Sequence, residues 1–238
     1  MIVLAFDTAT PATVVALLGD RSPADCAERR HEPAPGERPG HAAQLLALAA
    51  ELLDEAGLTF GDVDRIAVGL GPGTFTGLRI GVATARALAQ SAAAELVGVS
   101  TLRALALGAQ PASGRGGADA GVLAVIDARR GEVFAAGWRD GRQLLEQAAQ
   151  APAELARRVA GEGGAWLAVG DGALRFRDDL QRAGCTVPDD GSEQHGVSAR
   201  ALCRLALDAP RGTARDLVVP DYLRPPDAVL PSAKQPRS

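Results

Sequence analysis

Short apolar runs and longer segments with helical periodicity alternate along the chain. Residues 2–6 are apolar and end at Asp7, and residues 13–18 form a second apolar run, so the two runs predict a β-hairpin. A third strand is expected at residues 25–32. The stretch PAPGERPG at residues 33–40 is rich in proline and glycine, and it predicts a loop.

The rest of the first half alternates strands with helices. Residues 41–56 place apolar positions at the helical period, and Gly57 follows them where a left-handed helix cap is favoured. The pattern then predicts, in order, a strand at 65–70, a loop and helix within 69–90, a strand at 96–100 and a helix at 101–107. Such alternation is typical of an α/β architecture.

A change of composition near the middle of the chain predicts a domain boundary. Residues 110–121, QPASGRGGADAG, are rich in glycine, alanine and serine and are expected to form a linker. Beyond the linker, residues 122–138 align without a gap on residues 2–18, with Asp127 over Asp7. The match predicts two related halves that face a shared cleft.

The predicted organisation follows from this boundary. In the C-terminal part, helices are expected at 152–160 and 198–208, and a strand is expected at 165–169. The last residues are expected to be a flexible tail. The chain is thus divided into an N-terminal half at 1–109, the linker, a C-terminal half at 122–224 and the tail at 225–238.

Charge and cysteine content narrow the classes of function. The formal net charge is −4, which argues against this chain alone as the main electrostatic contact of a nucleic acid. The three cysteines are far apart and form no CxxC pair, which fits a reduced setting. The N-terminal MIVLAFDTAT lacks the positive flank of a signal peptide, and no apolar run is long enough to cross a bilayer. A cytoplasmic protein without membrane association is expected.

Polar residues follow the first strand of each predicted half. Asp7 and Thr8 occupy a place where a carboxylate can hold a hydrated metal ion and a nucleotide phosphate. If the halves are related, Asp127, Arg129 and Glu132 face the same candidate nucleotide cleft. These residues could have structural roles in place of nucleotide binding: Asp7 can form an Asx-turn, and Arg129 can form a cross-strand pair with Glu132.

The stretch GLGPGTFTGLRIGVATARALAQ resembles a phosphate-binding loop followed by a helix. It lacks the ending of a Walker A loop and the glycine spacing of a dinucleotide fold, and its residues also suit a turn and a helix cap. Small residues recur at every fourth position along this helix: Gly77, Gly81, Ala85, Ala89 and Ala93. They form a smooth stripe, which packs either on the chain's own sheet or against a partner helix.

The leucines of the helix predicted at 41–56 cover more than one face, which favours a partner in addition to the core. We therefore predict a docking surface formed by this helix and the small-residue helix. In this surface Leu78 and Val82 provide apolar contacts, and two arginines, Arg79 and Arg86, flank them. The predicted surface comprises Leu45, Leu48, Leu52, Gly77, Leu78, Arg79, Gly81, Val82, Ala85, Arg86 and Ala89.

No residue pattern predicts a catalytic group or a metal site. His31, His41 and His195 are not spaced as metal ligands, and the sequence has no HExxH motif. No cysteine has an evident histidine partner, so a thiol nucleophile is not expected.

Taken together, these stretches resemble the TsaB (YeaZ) family, the non-catalytic subunit of the bacterial machinery that makes threonylcarbamoyladenosine in tRNA. The resemblance runs in family order along nearly the whole chain and is weakest at residues 141–219. The block at residues 69–86 is the most specific part. The matching stretches are FDTAT, HAAQLL, ELLDEAGL, RIAVGLGPGTFTGLRIGVATARALA, GVSTLRALA, IDARRGEVFAA and PDYLR.

The resemblance implies the actin-like, sugar-kinase and Hsp70-like (ASKHA) fold, in which two related halves each hold a mixed sheet flanked by helices. It also implies a scaffold that activates a TsaD-like catalytic subunit, that is joined by a TsaE-like ATPase and that forms a homodimer when alone. Contact with tRNA is implied only through the complex. No tightly bound cofactor is implied, and ATP or ADP with magnesium belongs to the assembled complex.

The resemblance further implies that this subunit has no activity of its own. The TsaD family carries two metal-binding histidines in an HxxxH helix, and the corresponding residues here are Thr101 and Leu105, neither of which binds a metal as imidazole does. The alternative is an independent small-molecule kinase or metallopeptidase of the same fold. A standalone tRNA-binding module is disfavoured by the acidic charge balance.

Overall fold

A computed structural model describes residues 1–19, 26–34, 36–109, 120–210 and 214–224. The first half of the chain forms a mixed five-stranded sheet in the order β3-β2-β1-β4-β5. Its second strand is antiparallel to its first and third, whereas the fourth runs parallel to the first and fifth. The strands are β1 (Val3–Asp7), β2 (Thr13–Leu18), β3 (Cys26–His31), β4 (Arg65–Gly69) and β5 (Glu95–Val99).

The second half repeats this arrangement in another five-stranded sheet, with the order β10-β9-β6-β7-β8. Its strands are β6 (Gly121–Arg129), β7 (Glu132–Arg139), β8 (Arg142–Gln150), β9 (Trp166–Val169) and β10 (Cys185–Thr186). The antiparallel and parallel pairings also follow the first sheet. The shared topology confirms the predicted α/β fold of two related halves.

Helices separate and flank the two sheets. They are α1 (His41–Glu55), α2 (Phe75–Ser91), α3 (Thr101–Gly108), α4 (Pro152–Glu162), α5 (Asp171–Arg175), α6 (Arg177–Arg182) and α7 (Ala199–Leu207). Because successive residues of a strand point to opposite faces, Leu4 and Phe6 of β1 pack with α1 and α2, whereas Val3 and Ala5 pack with α3 and α7. The hydrophobic core that contains Val3 and Ala5 also contains residues of the second sheet, so α3 and α7 lie between the two sheets.

The end of the described chain returns to the first sheet. Residues 199–224 were assigned by sequence to the C-terminal half, but α7 packs on β1 and β2. Arg65 of β4 is buried, pairs with Glu95 at 2.5 Å and donates to the carbonyl oxygen of Ala206 on α7. These contacts fix α7 across strands that lie far from it in the sequence.

The domain boundaries themselves stay a prediction. Most of the predicted linker and the whole predicted tail, 225–238, lie outside the described residues. At the end of the linker, Gly121 is already the first residue of β6, where its N–H donates to the carbonyl oxygen of Ala165 at 2.9 Å. Gly121 is therefore a strand residue and not, as the sequence predicts, the last residue of the linker.

Candidate functional site

Asp7 ends β1 and points into the protein. Its side chain accepts a hydrogen bond from the hydroxyl of Thr101 at 2.6 Å and another from the N–H of Ala9 at 2.7 Å. The Thr101 oxygen in turn accepts from the N–H of Gly71 at 3.1 Å. The Ala9 contact is the predicted Asx-turn, and the Thr101 contact ties the end of β1 to the start of α3.

Burial dominates the electrostatics of this carboxyl group. Asp7 is 1% exposed. Burial raises its pKa above the ordinary value, and the hydrogen bonds from Thr101 and Ala9 partly oppose this rise because they stabilise the charged form. A Cβ added to Gly69 would lie 1.7 Å from the Asp7 carboxylate, so only glycine fits beneath it. The carboxyl group is therefore engaged by the chain itself.

Removing the Thr101 hydroxyl is expected to destabilise the fold. Thr101→Val keeps the side-chain shape but removes one of the two hydrogen bonds to the Asp7 carboxylate and takes the acceptor away from the Gly71 N–H, which should cost about 2 kcal/mol of the free energy of unfolding. Urea denaturation measures this loss. The exposed Thr76 of α2 provides the control, since Thr76→Val should change the stability by less than about 0.5 kcal/mol.

The cost of Thr101→Val should also depend on pH. The pKa of Asp7 is raised in the folded chain, so the carboxyl group takes up a proton as the pH falls into that raised range. A protonated carboxyl group gains less from an O–H donor than a carboxylate does. The stability difference between Thr101→Val and the wild type should therefore be largest at neutral pH and smaller in mildly acidic buffer. A difference that does not change with pH would contradict this assignment.

The small-residue stripe of α2 faces the chain's own first sheet. A Cβ on Gly77 would lie 1.9 Å from the carbonyl oxygen of Thr8, and one on Gly81 would lie 2.5 Å from the Thr8 hydroxyl. The Thr8 hydroxyl donates to the carbonyl oxygen of Gly77 at 2.8 Å. Ala85 and Ala89 are both fully buried in the same core. The prediction that this stripe faces a partner is therefore corrected: small residues are needed because the β1 to β2 turn approaches the helix backbone.

Most other members of the predicted docking surface are also buried. Leu45, Leu52 and Val82 belong to the core between α1, α2 and the first sheet, and Leu78 is buried beside Gly71, so all four are corrected from surface residues to buried residues. Leu48 is partly buried against the same cluster. The buried leucines of α1 thus lie in one core with residues of α2 and of the first sheet, whereas Leu46 is exposed.

The two arginines of the predicted surface hold the C-terminal segment 214–224. Arg86 donates to the carbonyl oxygen of Val218 at 2.8 Å. The Arg79 guanidinium lies 3.8 Å from the centroid of the Phe75 ring and donates to the hydroxyl of Tyr222 at 3.3 Å. Both arginines are therefore engaged within the chain. The sequence gives no local signal for these contacts, because their partners are distant along the chain.

A different part of α1 and α2 faces outward. The two helices lie side by side, and Leu46 of α1 is 45% exposed. We use the term outer face for the exposed apolar residues Ala42, Ala43, Leu46, Ala47, Ala83 and Ala87. The run HAAQLLALAA, which carries no acidic residue, lysine or arginine, is the sequence signal from which this face could have been predicted.

The polar residues of the second half come together at the β6 to β7 turn. Asp127 accepts from the N–H of Arg129 at 2.9 Å and from the guanidinium of Arg175 at 2.7 Å. Arg129 and Glu132 are register partners, but Glu132 forms its ion pair with Arg224. Arg129 and Glu132 are thus cross-strand neighbours as predicted, but each forms its ion pair with another residue: Arg129 pairs with Asp127, and Glu132 pairs with Arg224.

An open cleft of about 1050 Å³ lies between the two halves. Its lining includes Thr10 of the β1 to β2 turn, Arg30 of β3, Asp171 of α5 and Arg200 of α7. Burial raises the pKa of Asp171, which also accepts a hydrogen bond from the N–H of Asp127 at 3.0 Å. The predicted cleft residues Asp7, Thr8, Asp127, Arg129 and Glu132 are not among those that line this cleft. Sequence reasoning missed Asp171, which follows β9 in the motif VGDGA.

The side-chain clusters and the helices of the described residues bear on metal binding and on membrane insertion. Across the ranges that the structure describes, no three side chains of His, Cys, Asp or Glu come together to hold a metal ion. Within those ranges, no helix has the length and apolar character that a membrane span requires. Thr101 and Leu105, which the sequence resemblance aligns with the metal-binding histidines of the TsaD family, are both buried in α3.

Comparison with known proteins decides the family. The family model described as TsaD: tRNA N6-adenosine threonylcarbamoyltransferase matches residues 37–166. The tRNA threonylcarbamoyladenosine biosynthesis protein TsaB of Escherichia coli strain K12 is 34% identical over 194 residues, which are 79% of this chain and 79% of that protein. The chain belongs to the TsaB family. This confirms the resemblance found in the sequence and places the chain in a family of threonylcarbamoyladenosine biosynthesis.

Solved structures agree with the family assignment and with the fold. YeaZ from Pseudomonas aeruginosa has a TM-score of 0.73 and 30% identity, covering 93% of this chain and 99% of that chain. A ROK hexokinase from Thermus thermophilus has a TM-score of 0.50 at 14% identity, covering 87% of this chain and 99% of that chain. At this identity the hexokinase shows similarity of fold alone, which agrees with the predicted fold class.

Proposed function

We propose that this chain is a non-catalytic scaffold subunit that binds and activates a TsaD-like catalytic subunit, which threonylcarbamoylates the adenosine next to the anticodon of tRNA. Membership of the TsaB family supports the pathway. The observation that carries the proposal is the outer face, which gives a partner an uncharged, apolar surface to cover.

The composition of α1 supports a covered surface. Surface helices usually carry charged residues on the side that faces solvent. From His41 to Ala50 this helix has no Asp, Glu, Lys or Arg, although Ala42, Ala43, Leu46 and Ala47 are exposed. Their neighbours Leu45 and Ala49 already fill the core, so the exposed residues are available to a second protein. Small side chains also allow a partner helix to approach closely.

The N-terminal end of α2 extends this surface. The Phe75 and Tyr222 rings lie 5.2 Å apart between centroids, and they are 37% and 41% exposed. Arg79 stacks on Phe75 beside them. Aromatic residues and arginine contribute most of the binding energy in many protein interfaces. We place this cluster at the rim of the docking surface.

The surroundings of Asp7 support a non-catalytic role over the kinase alternative. A kinase of this fold needs a carboxylate that is free to hold a hydrated magnesium ion, whereas Asp7 is buried and bonded to Thr101 and Ala9. For the peptidase alternative, Thr101 and Leu105 replace the metal-binding histidines. The proposal therefore assigns no tightly held cofactor to the isolated chain, and it assigns ATP or ADP with magnesium to the assembled complex.

The remaining partners follow from the same proposal. We propose that the outer face mediates a homodimer when the catalytic subunit is absent and that a TsaE-like ATPase joins the assembled pair. The net charge of −4 is unfavourable for phosphate contacts, so the chain meets tRNA only through the complex. A location in the cytoplasm is part of the proposal.

The test is complex formation between the two purified proteins. The chain is mixed with the TsaD-like subunit of the same genome and analysed by size-exclusion chromatography with light scattering. The proposal expects co-elution, and it expects no steady ATP turnover by the chain alone. Separate elution would contradict the scaffold role, and ATP turnover or peptide hydrolysis by the chain alone would favour the alternatives.

A further inference from the structure

Two cysteines that are distant in the sequence meet between the first sheet and α7. Cys26 is the first residue of β3, and Cys203 lies in the middle of α7. The Cys203 sulfur lies 3.7 Å from the carbonyl oxygen of Ala16 in β2, the strand beside β3, and Cys26 packs against the same buried cluster. The two thiols are close enough to interact as hydrogen-bond partners. Cys26 is partly exposed, whereas Cys203 is fully buried. The pair therefore combines a thiol that small molecules can reach with a second thiol behind it.

The backbones that carry the two cysteines are already held together. Glu28 of β3 accepts hydrogen bonds from the N–H of Arg200 at 2.9 Å and from the hydroxyl of Ser198 at 3.2 Å, at the start of α7. Arg30 of β3 donates to the carbonyl oxygen of Val197 at 2.6 Å. Because these bonds fix β3 against the N-terminal end of α7, the two thiols are held in place rather than meeting by chance.

The local charges favour reaction at Cys26. The hydrogen bond with Cys203 is the largest cause that lowers the pKa of Cys26, and the positive charges of Arg200 and Arg204 lower it further, against burial and Glu28. The same hydrogen bond, together with burial, raises the pKa of Cys203. A thiolate is the attacking form of cysteine. Cys26 is also the only one of the two that a dissolved oxidant can reach, because Cys203 is fully buried, so Cys26 suits the attacking role and Cys203 the resolving role.

We propose that Cys26 and Cys203 form a redox-active dithiol, which small-molecule disulfides such as oxidised glutathione convert to an intramolecular disulfide. The Cys26 thiolate attacks one sulfur of the oxidant, forms a mixed disulfide and releases one glutathione thiolate, which takes up a proton. Cys203 then attacks the Cys26 sulfur as a thiolate and releases the second glutathione as a thiolate, which takes up the proton that Cys203 gave up. Two protein thiols are oxidised, and one glutathione disulfide is reduced to two thiols.

The product is a covalent link between α7 and the edge of the first sheet. The site lies beside the open cleft, because Glu28, Arg200 and Arg204 line that cleft. The third cysteine, Cys185, is an internal control. It is buried, and burial raises its pKa to about 11, so it should not react under the same conditions.

The test uses the full folded chain and four variants: Cys26→Ser, Cys203→Ser, Cys203→Ala and Cys185→Ser. Each protein is incubated with oxidised glutathione, then free thiols are counted, intact mass is measured and peptides are mapped without reduction. The wild type and Cys185→Ser should each lose two thiols and about 2 Da, give the Cys26–Cys203 peptide, and recover both thiols with dithiothreitol. Both Cys203 variants should stop at a glutathione adduct on Cys26, and Cys203→Ala keeps this test if the serine variant is unstable.

Other results would overturn the proposal. One is a wild type that keeps the glutathione adduct on Cys26 and does not form the intramolecular bond. Another is a Cys26–Cys203 peptide that forms only after the chain has been denatured. A third is a Cys26→Ser variant that loses its remaining thiols as fast as the wild type does.

Discussion

Replacing Gly77 with alanine is expected to remove about 3 kcal/mol or more from the free energy of unfolding, which is enough to leave much of the protein insoluble. The added Cβ would lie 1.9 Å from the carbonyl oxygen of Thr8, and neither backbone can move alone because the Thr8 hydroxyl is bonded to the Gly77 carbonyl oxygen. Thermal and urea denaturation of the purified variant measure the loss.

Gly161 of α4 provides a matched control. It is also a helical glycine, but a Cβ there would have no other heavy atom within 4 Å. Gly161→Ala should therefore leave the stability unchanged or raise it by up to about 1 kcal/mol. If Gly77→Ala kept the wild-type stability and lost only its association with a TsaD-like subunit, the stripe would be an interface and the packing described here would be wrong.

Replacing Leu46 with glutamate is expected to abolish docking and to leave the fold intact. Leu46 is 45% exposed at the centre of the outer face, so the free chain accommodates the charge at a cost of less than about 1 kcal/mol. In a complex the carboxylate would be buried without a partner. We expect at least a thirtyfold loss of affinity for the TsaD-like subunit, from about 2 kcal/mol. Calorimetric titration measures the affinity, and a thermal melt measures the stability.

Leu207→Glu is the control for this variant. Leu207 ends α7 and is 41% exposed, but α7 covers the opposite face of the first sheet from α1 and α2. The same change of charge there should leave affinity for the TsaD-like subunit unchanged. Equal losses of affinity in both variants would indicate a general effect of charge. If Leu46→Glu bound the TsaD-like subunit as the wild type does, the outer face would not be the docking site.

The repeated strand, turn and strand were predictable because their signal is local. The alignment of residues 122–138 on 2–18 is enough to predict that β6 and β7 repeat β1 and β2. The strand β8, Arg142–Gln150, was not predicted. Its sequence RQLLEQAAQ lacks the β-branched and aromatic residues that favour strands, and pairing with β7 outweighs that preference.

The direction in which a helix face points could not be read from the sequence alone. Small residues at every fourth position fit a partner helix and a close turn of the same chain equally well. The choice depends on the approach of Thr8 to Gly77, a contact between residues far apart in sequence. The contact of Arg86 with Val218 and the contact of Cys26 with Cys203 could not be predicted either, because these residues are also far apart in the sequence.

The candidate site was predicted in part. Asp7 lies at the end of the first strand as predicted, and its Asx-turn is one of the two interpretations that its sequence pattern allows. Its second partner, Thr101, comes from α3 and has no sequence signal near Asp7. A carboxylate after a strand has the same local pattern whether it faces a cleft or the interior. In this chain the packing of α3 and the absence of a side chain at Gly69 determine that the Asp7 carboxylate faces the interior.

The most direct test of the scaffold proposal measures threonylcarbamoyladenosine in total tRNA by mass spectrometry. The chain is depleted from cells and replaced by the wild type, Leu46→Glu or Leu207→Glu at matched protein levels. The account predicts that depletion removes the modified nucleoside, that the wild type and Leu207→Glu restore it, and that Leu46→Glu does not. Unchanged threonylcarbamoyladenosine after depletion, or full restoration by Leu46→Glu, would contradict the account.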